Sequence, residues 1–123
     1  MFQTRILVIE DNEDNLTLIH LLLERAKYEV LMATDGSTGL DIASKERPDI
    51  VLLDLAMPEM DGWEVARKLK ANILTKDIPI IAVSAHALPK DRGRAMKAGC
   101  DAFIMKPFSV SKLIGEIENL TDW

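Results

Sequence analysis

The feature that most limits this chain is the spacing of five short apolar runs. "RILVIE" (5–10), "EVLMA" (29–33), "DIVLLD" (49–54), "IPIIAVS" (78–84) and "AFIMK" (102–106) are mostly rich in β-branched residues and lack polar alternation. Strands buried on both faces read this way. Between the runs the apolar residues return at helical spacing. Leu16, Ile19, Leu22, Leu23 and Ala26 form one stripe, Leu40 and Ala43 a short second, and Val65, Ala66 and Leu69 a third. Leu88, Ala95 and Met96 form the fourth, and Val110, Leu113, Ile114, Ile117 and Leu120 the last. Gly36 stands before the second helix and Pro48 after it, Pro79 enters the fourth strand, Gly99 closes the fourth helix, and Ser109 is placed to cap the fifth. Strands alternating with crossover helices predict an α/β fold, a parallel sheet covered on both faces. In such a sheet ligands bind beyond the carboxyl ends of the strands, where the strand order reverses.

Size and charge narrow the rest. A chain of 123 residues is read as a single domain, 1–123. The start "MFQTRILV" has no signal-peptide pattern and no apolar run nears the length of a membrane span, so a cytoplasmic protein with no membrane association is expected. The lone Cys100 cannot close an internal disulfide and is read as a small buried side chain. A net charge of −5 disfavours nonspecific nucleic-acid binding. That charge is uneven. Residues 86–112 carry Lys90, Arg92, Arg94, Lys97, Lys106 and Lys112 against Asp91 and Asp101, net +4, which leaves −9 for the remainder. The basic stretch is either a solvated face or a docking surface for an acidic partner.

The residues at the strand ends are chemically unusual. They are Glu10 with Asp11, Asp54, Ser84 and Lys106. Three carboxylates brought to one sheet edge repel one another, so positive charge has to sit among them. Lys106 supplies one unit. A divalent cation supplies two more, and oxygen donors with no His or Cys close by suit Mg2+, with Mn2+ possible, better than zinc. A phosphate oxygen on such a cation, beside a carboxylate, has the ingredients of an aspartyl phosphate. The first strand-to-helix turn, "EDNEDN", has no glycine, which excludes both the G-x-G-x-x-G dinucleotide fingerprint and the G-x-x-x-x-G-K-[ST] phosphate loop.

"IEDN", "LLDLAMPEMDG", "VSAHA" and "AFIMKPF" occur in this order across nearly the whole chain, with Ser84 thirty residues after Asp54. Together they resemble the receiver domain of bacterial two-component response regulators. The resemblance implies a flavodoxin-like three-layer α/β/α sandwich, a five-stranded parallel sheet in order 2-1-3-4-5 with five helices. It implies that Asp54 is the phosphoacceptor for a phosphoryl group from phosphohistidine. Asp11 and Asp54 would ligate Mg2+ directly, Glu10 through water, and the backbone carbonyl of Ala56 would complete the protein ligands. Lys106 would pair with phosphoryl oxygens and Ser84 would hydrogen-bond another, with Phe103 turning inward behind it as the second switch residue. Ala56 and His86 hold the positions that tune phosphoryl lifetime, and the Lys106–Pro107 bond is expected to be cis.

The same resemblance implies a sensor histidine kinase or histidine phosphotransfer protein as donor. A downstream protein target would bind the face of the fourth helix, fifth strand and fifth helix. No output domain is visible, so direct DNA binding is not expected, and the chain is expected to be a monomer or weak homodimer. "EDNEDN" and "AVSAHALPKD" resemble single-domain cell-cycle regulators and hybrid-kinase receivers more than chemotaxis proteins. The protein is expected to catalyse only its own phosphoryl transfer and autodephosphorylation. The alternative is a phosphorylation-independent adaptor of receiver shape. A magnesium phosphatase would need a second acid just after Asp54, where Leu55 and Ala56 stand.

Overall fold

A computed structural model describes residues 3–55, 62–84 and 89–121, with backbone only at 89 and 90. Ten elements alternate: β1 (Arg5–Ile9), α1 (Glu13–Arg25), β2 (Glu29–Ala33), α2 (Gly36–Glu46), β3 (Ile50–Asp54), α3 (Gly62–Ala71), β4 (Ile80–Ser84), α4 (Pro89–Lys97), β5 (Ala102–Met105) and α5 (Val110–Leu120). All strand pairs are parallel and the sheet order is β2-β1-β3-β4-β5. This is the five-stranded flavodoxin-like α/β fold that the sequence implied.

Strand alternation divides the core into two layers. Leu7, Ile9, Val51, Leu53, Ile80, Ala82 and Phe103 point to the layer that Ala43 of α2, Val65, Ala66 and Leu69 of α3 and Ala95 of α4 complete. Ile6, Val8, Ile50, Leu52, Ile81, Val83 and Ile104 point the other way, against Leu16, Ile19 and Leu23 of α1 and Leu113 and Ile117 of α5. Buried on both sides, the strands cannot alternate apolar and polar residues, which is why they read as continuous apolar runs.

The helix ends follow local chemistry. Asn12, Asp35 and Ser109 cap α1, α2 and α5, each side chain accepting from the backbone N–H three residues on. Gly36 is therefore the first residue of α2, not the one before it. Gly99, at φ +102, ends the fourth helix in a conformation that a side chain would resist. The strands run shorter than the apolar stretches. Pro79, for example, precedes β4 and still accepts from Val51 N–H at 2.9 Å. In the fourth stripe Ala95 is buried but Met96 is 47% exposed, so Met96 is not core. Leu88 lies outside the described residues. Cys100 is buried, and burial followed by the Asp101 charge pushes its thiol up to about 12, which keeps it a protonated packing group. Among the described residues no helix is long and apolar enough to cross a membrane.

Because Ile117 is fully buried and α5 covers one layer largely through it and Leu113, Ile117→Ala should cost about 2–5 kcal/mol. Urea unfolding should show a lower midpoint at unchanged slope. A loss below about 1 kcal/mol would mean that this face does not hold the helix.

Candidate functional site

Glu10, Asp54 and Lys106 arrive together because each continues the side-chain row of its strand facing α1 and α5. Ile6 and Val8 lead to Glu10, Ile50 and Leu52 to Asp54, and Ile104 to Lys106, at the carboxyl ends of adjacent or next-nearest strands. Ser84 follows Ile80 and Ala82 on the opposite row, with Phe103 alongside. The Asp54 carboxylate and the Ser84 hydroxyl thus stand on different faces of one sheet edge.

The acid-rich turn after β1 divides its labour. Asn12 caps α1 by accepting from Asn15 N–H at 2.9 Å. Glu13 and Asp14 lie in the first helical turn, where the helix dipole favours negative charge. Only Glu10 and Asp11 remain for the site. One carboxylate oxygen from each of Glu10, Asp11 and Asp54 lies within 4.8 Å of the others. Glu10 is 2% exposed and Asp54 7%, whereas Asp11 faces solvent. Lys106 Nζ lies 3.1 Å from Glu10 Oε1 and 3.7 Å from Asp54 Oδ2. Glu10 Oε2 is buried with no hydrogen-bond partner among the described residues.

The orphaned oxygen marks a cluster short of positive charge. Burial, then a hydrogen bond and repulsion involving Asp54, raise the Glu10 carboxyl from 4.5 to about 7, and Lys106 only partly opposes them. A clustered set of hard oxygen donors that includes an unpartnered buried one fits a hard divalent cation. Glu10, Asp11 and Asp54 could hold it.

Ser84 is buried and its carbonyl accepts from Lys106 N–H at 2.8 Å, which ties β4 to the lysine. Phe103 is buried in the layer of Ala82, Ala95 and Ala98. The inward turn expected of it therefore has no outward starting point in this structure. The Lys106–Pro107 bond is cis. Ala56 and His86 lie outside the described residues. Of the basic stretch, Arg92, Arg94, Lys97 and Lys112 are exposed, but Lys106 turns into the acidic cluster and does not belong to that surface.

Two features escaped the sequence. Gly62 sits against the carboxyl end of β3, where a Cβ would lie 2.8 Å from the Asp54 carbonyl oxygen and 2.5 Å from Leu55 Cα. The Asp-Gly pair in "LLDLAMPEMDG" was its only signal. A groove of about 360 Å3 opens beside Lys106, walled by Leu18, Leu22, Pro107, Phe108 and Val110. Leu22 read as core, but the helix leaves it only half-buried.

A parallel 2-1-3-4-5 sheet with an acidic cluster and a lysine at its carboxyl edge is the architecture of a signalling receiver, and a family model described as response regulator receiver domain matches residues 6–118. The chain belongs to that family. It is 40% identical over 114 residues to the polar-differentiation response regulator DivK of Brucella anthropi, covering 93% of each chain. Among solved structures, the chemotaxis protein CheY4 of Vibrio cholerae superposes with a TM-score of 0.92 at 25% identity, over 97% of this chain and 99% of that one. The receiver domain of a sensor histidine kinase from Pseudomonas aeruginosa PAO1, determined with magnesium coordinated in its active-site cleft, gives 0.91 at 31% identity, over 99% and 100%.

The raised Glu10 carboxyl has a consequence for metal-free stability. Below about pH 4.5 folded and unfolded chains both hold this proton, and between 4.5 and about 7 only the folded chain does. Stability should fall as pH rises through that window, by on the order of 3 kcal/mol at most. Glu10→Gln should flatten the fall in chelator-treated protein, and an unchanged slope in the variant would count against this account.

Proposed function

We propose that this receiver accepts a phosphoryl group on Asp54 in a Mg2+-dependent reaction and signals through a change at its surface. The observation that carries the reading is the buried Asp54 carboxylate, 3.7 Å from Lys106 Nζ and grouped with the oxygens of Glu10 and Asp11. Asp11 and Asp54 are the direct Mg2+ ligands, Glu10 acts through water, and the Ala56 carbonyl is the remaining protein ligand; Mn2+ would serve as well. When bound, the cation supplies charge that offsets the phosphoryl oxygens and favours in-line approach. The magnesium in the cleft of the Pseudomonas receiver supports this choice of ion.

An Asp54 oxygen attacks phosphorus, the bond to the donor's imidazole nitrogen breaks, and that nitrogen keeps the electron pair and takes up a proton. Lys106, held by Glu10 at 3.1 Å, stays aimed at the incoming oxygens. The donor is a sensor histidine kinase or a histidine phosphotransfer protein. Its histidine has to reach Asp54, so its docking surface must border the site, as the apolar groove between α1 and the start of α5 does.

Phosphorylation adds about −1.5 to −2 charge and three acceptor oxygens at Asp54. Ser84 gives one of them a hydrogen bond. A shift of Ser84 alters the packing beneath Phe103, which shares its row, and the face of α4, β5 and α5 responds. Ala56 and His86 set the lifetime of the phosphoryl group. The basic side chains Arg92, Arg94, Lys97 and Lys112 give that face its charge, suited to a protein target carrying acid. The likeness to DivK, itself a response regulator, along 93% of that protein's length supports a receiver that works in signalling.

Incubation with acetyl phosphate and Mg2+ should label the wild type. Asp54→Asn and chelation by EDTA should each reduce labelling to background, and Asp11→Asn should weaken Mg2+ binding roughly tenfold or more, the scale on which even outer-shell metal partners act. Labelling of Asp54→Asn at the wild-type rate would refute the assignment. A phosphorylation-independent adaptor would instead bind its partner equally well before and after labelling.

A further inference from the structure

Over its described side chains, helix α4 buries little apolar surface. From Asp91 to Lys97 its one buried side chain is Ala95, whereas α1 and α5 bury leucines and isoleucines. Gly93 stands in its middle, exposed, and a Cβ there would meet nothing within 4 Å. No close approach requires this glycine. Its effect is to make the helical state less favourable.

Arg94, the next residue, lies over the indole of Trp63 with 4.6 Å between Cζ and the ring centroid. Trp63 is the second residue of α3 and only 8% exposed. The residue before it, Gly62, touches the end of the phosphoacceptor strand closely enough that a Cβ would overlap Leu55 Cα and the Asp54 carbonyl. Two contacts, the strand end with Gly62 and Trp63 with Arg94, joined by the Gly62–Trp63 peptide bond, therefore lead from the strand end to α4.

We propose that the Arg94–Trp63 stack is a tether that fixes α4 against the start of α3, so that α4 follows displacements of the Asp54 strand end by a route separate from Ser84 and Phe103. A planar guanidinium on an indole gives a directional hold, and among the described side chains from Asp91 to Lys97 only Ala95 adds apolar burial to it. Arg94 is thus a positioning residue acting through Trp63. The half of this inference that concerns signalling rests on the phosphoacceptor reading of Asp54; the tether itself does not.

Hydrogen exchange on the full chain tests it, with and without Mg2+ and beryllofluoride, in wild type, Arg94→Ala and Gly93→Ala. Without beryllofluoride, Arg94→Ala should speed exchange in α4 roughly two- to fivefold, the range an exposed cation–π contact supports, and leave α5 unchanged. Gly93→Ala should slow α4 exchange by a comparable roughly two- to fivefold. With beryllofluoride, α4 should respond in wild type and not in Arg94→Ala, while peptides containing Ser84 and Phe103 respond in both. Exchange in Arg94→Ala matching the wild type would overturn the tether, and a wild-type beryllofluoride response of α4 in that variant would overturn the route. Should beryllofluoride change nothing in the wild type, Ser84 and Phe103 included, the phosphoacceptor reading fails, and the unliganded comparison still decides the tether.

Discussion

The ion pair between Lys106 and Glu10 is the contact on which the rest of the site depends. Two carboxylates that are over nine-tenths buried share one ammonium, which reaches Glu10 at 3.1 Å and Asp54 at 3.7 Å. One ammonium does not balance two buried carboxylates, and Glu10 shows the deficit twice, in its unpartnered oxygen and in its raised carboxyl. A fold selected for stability alone would place apolar side chains here. Retaining the cluster costs stability in the metal-free protein, and a divalent cation held there would offset that cost.

The geometry of the cluster comes from the sheet. In parallel strands with staggered ends, every second residue faces the same layer, so the residue that follows an apolar row occupies the rim of that layer. Glu10, Asp54 and Lys106 end three such rows facing α1 and α5. Ser84 ends a row facing α3 and α4. A single phosphoryl group at the rim can then touch both sides at once, with Lys106 reaching it from one layer and Ser84 from the other. The consequence is mechanical. On the proposed function, the chemistry would lie over the α1 and α5 layer, whereas the side chains behind Ser84 belong to the layer of Phe103, Ala95 and Ala98.

The sequence disclosed whatever depends on period and local chemistry. Runs such as 49–54 and 78–84 announce buried strands because both faces are covered, and Ser109 is legible as a cap because its side chain serves the N–H three residues later. The strand-end acids were legible for the same reason, since their position follows from where an apolar run stops. Face and depth were harder. Met96 has the spacing of a core residue, yet a polar α4 seated on small side chains leaves it outside. Lys106 counted toward a basic surface until the β5 register turned it into the acidic cluster. Phe103 is apolar at a strand position under any reading, so whether its ring begins inside or outside depends on the volume left by Ala82 and Ala95, which no pattern of one strand encodes. Gly62 and Arg94 act across elements far apart in the chain, and their partners appear only once the layers are assembled.

Helix anchorage decides which part of the molecule can answer a change at Asp54. A covalent charge change acting through one hydroxyl and one ammonium provides a few kcal/mol of bias, and it shifts only an equilibrium whose states differ by about that much. α1, held by Leu16, Ile19 and Leu23, and α5, held by Leu113 and Ile117, would have to expose large apolar side chains to move. Over its described side chains, Asp91 to Lys97, α4 would expose one alanine methyl, and Gly93 already weakens its helical state. Among α2, α3 and α4, which cover the Phe103 layer, α4 presents the fewest apolar side chains to it over the described residues, so its displacement would cost the least apolar burial. Its exposed arginines and lysine would accompany such a displacement, and a partner with complementary charge would then meet a surface whose geometry depends on the state of the site.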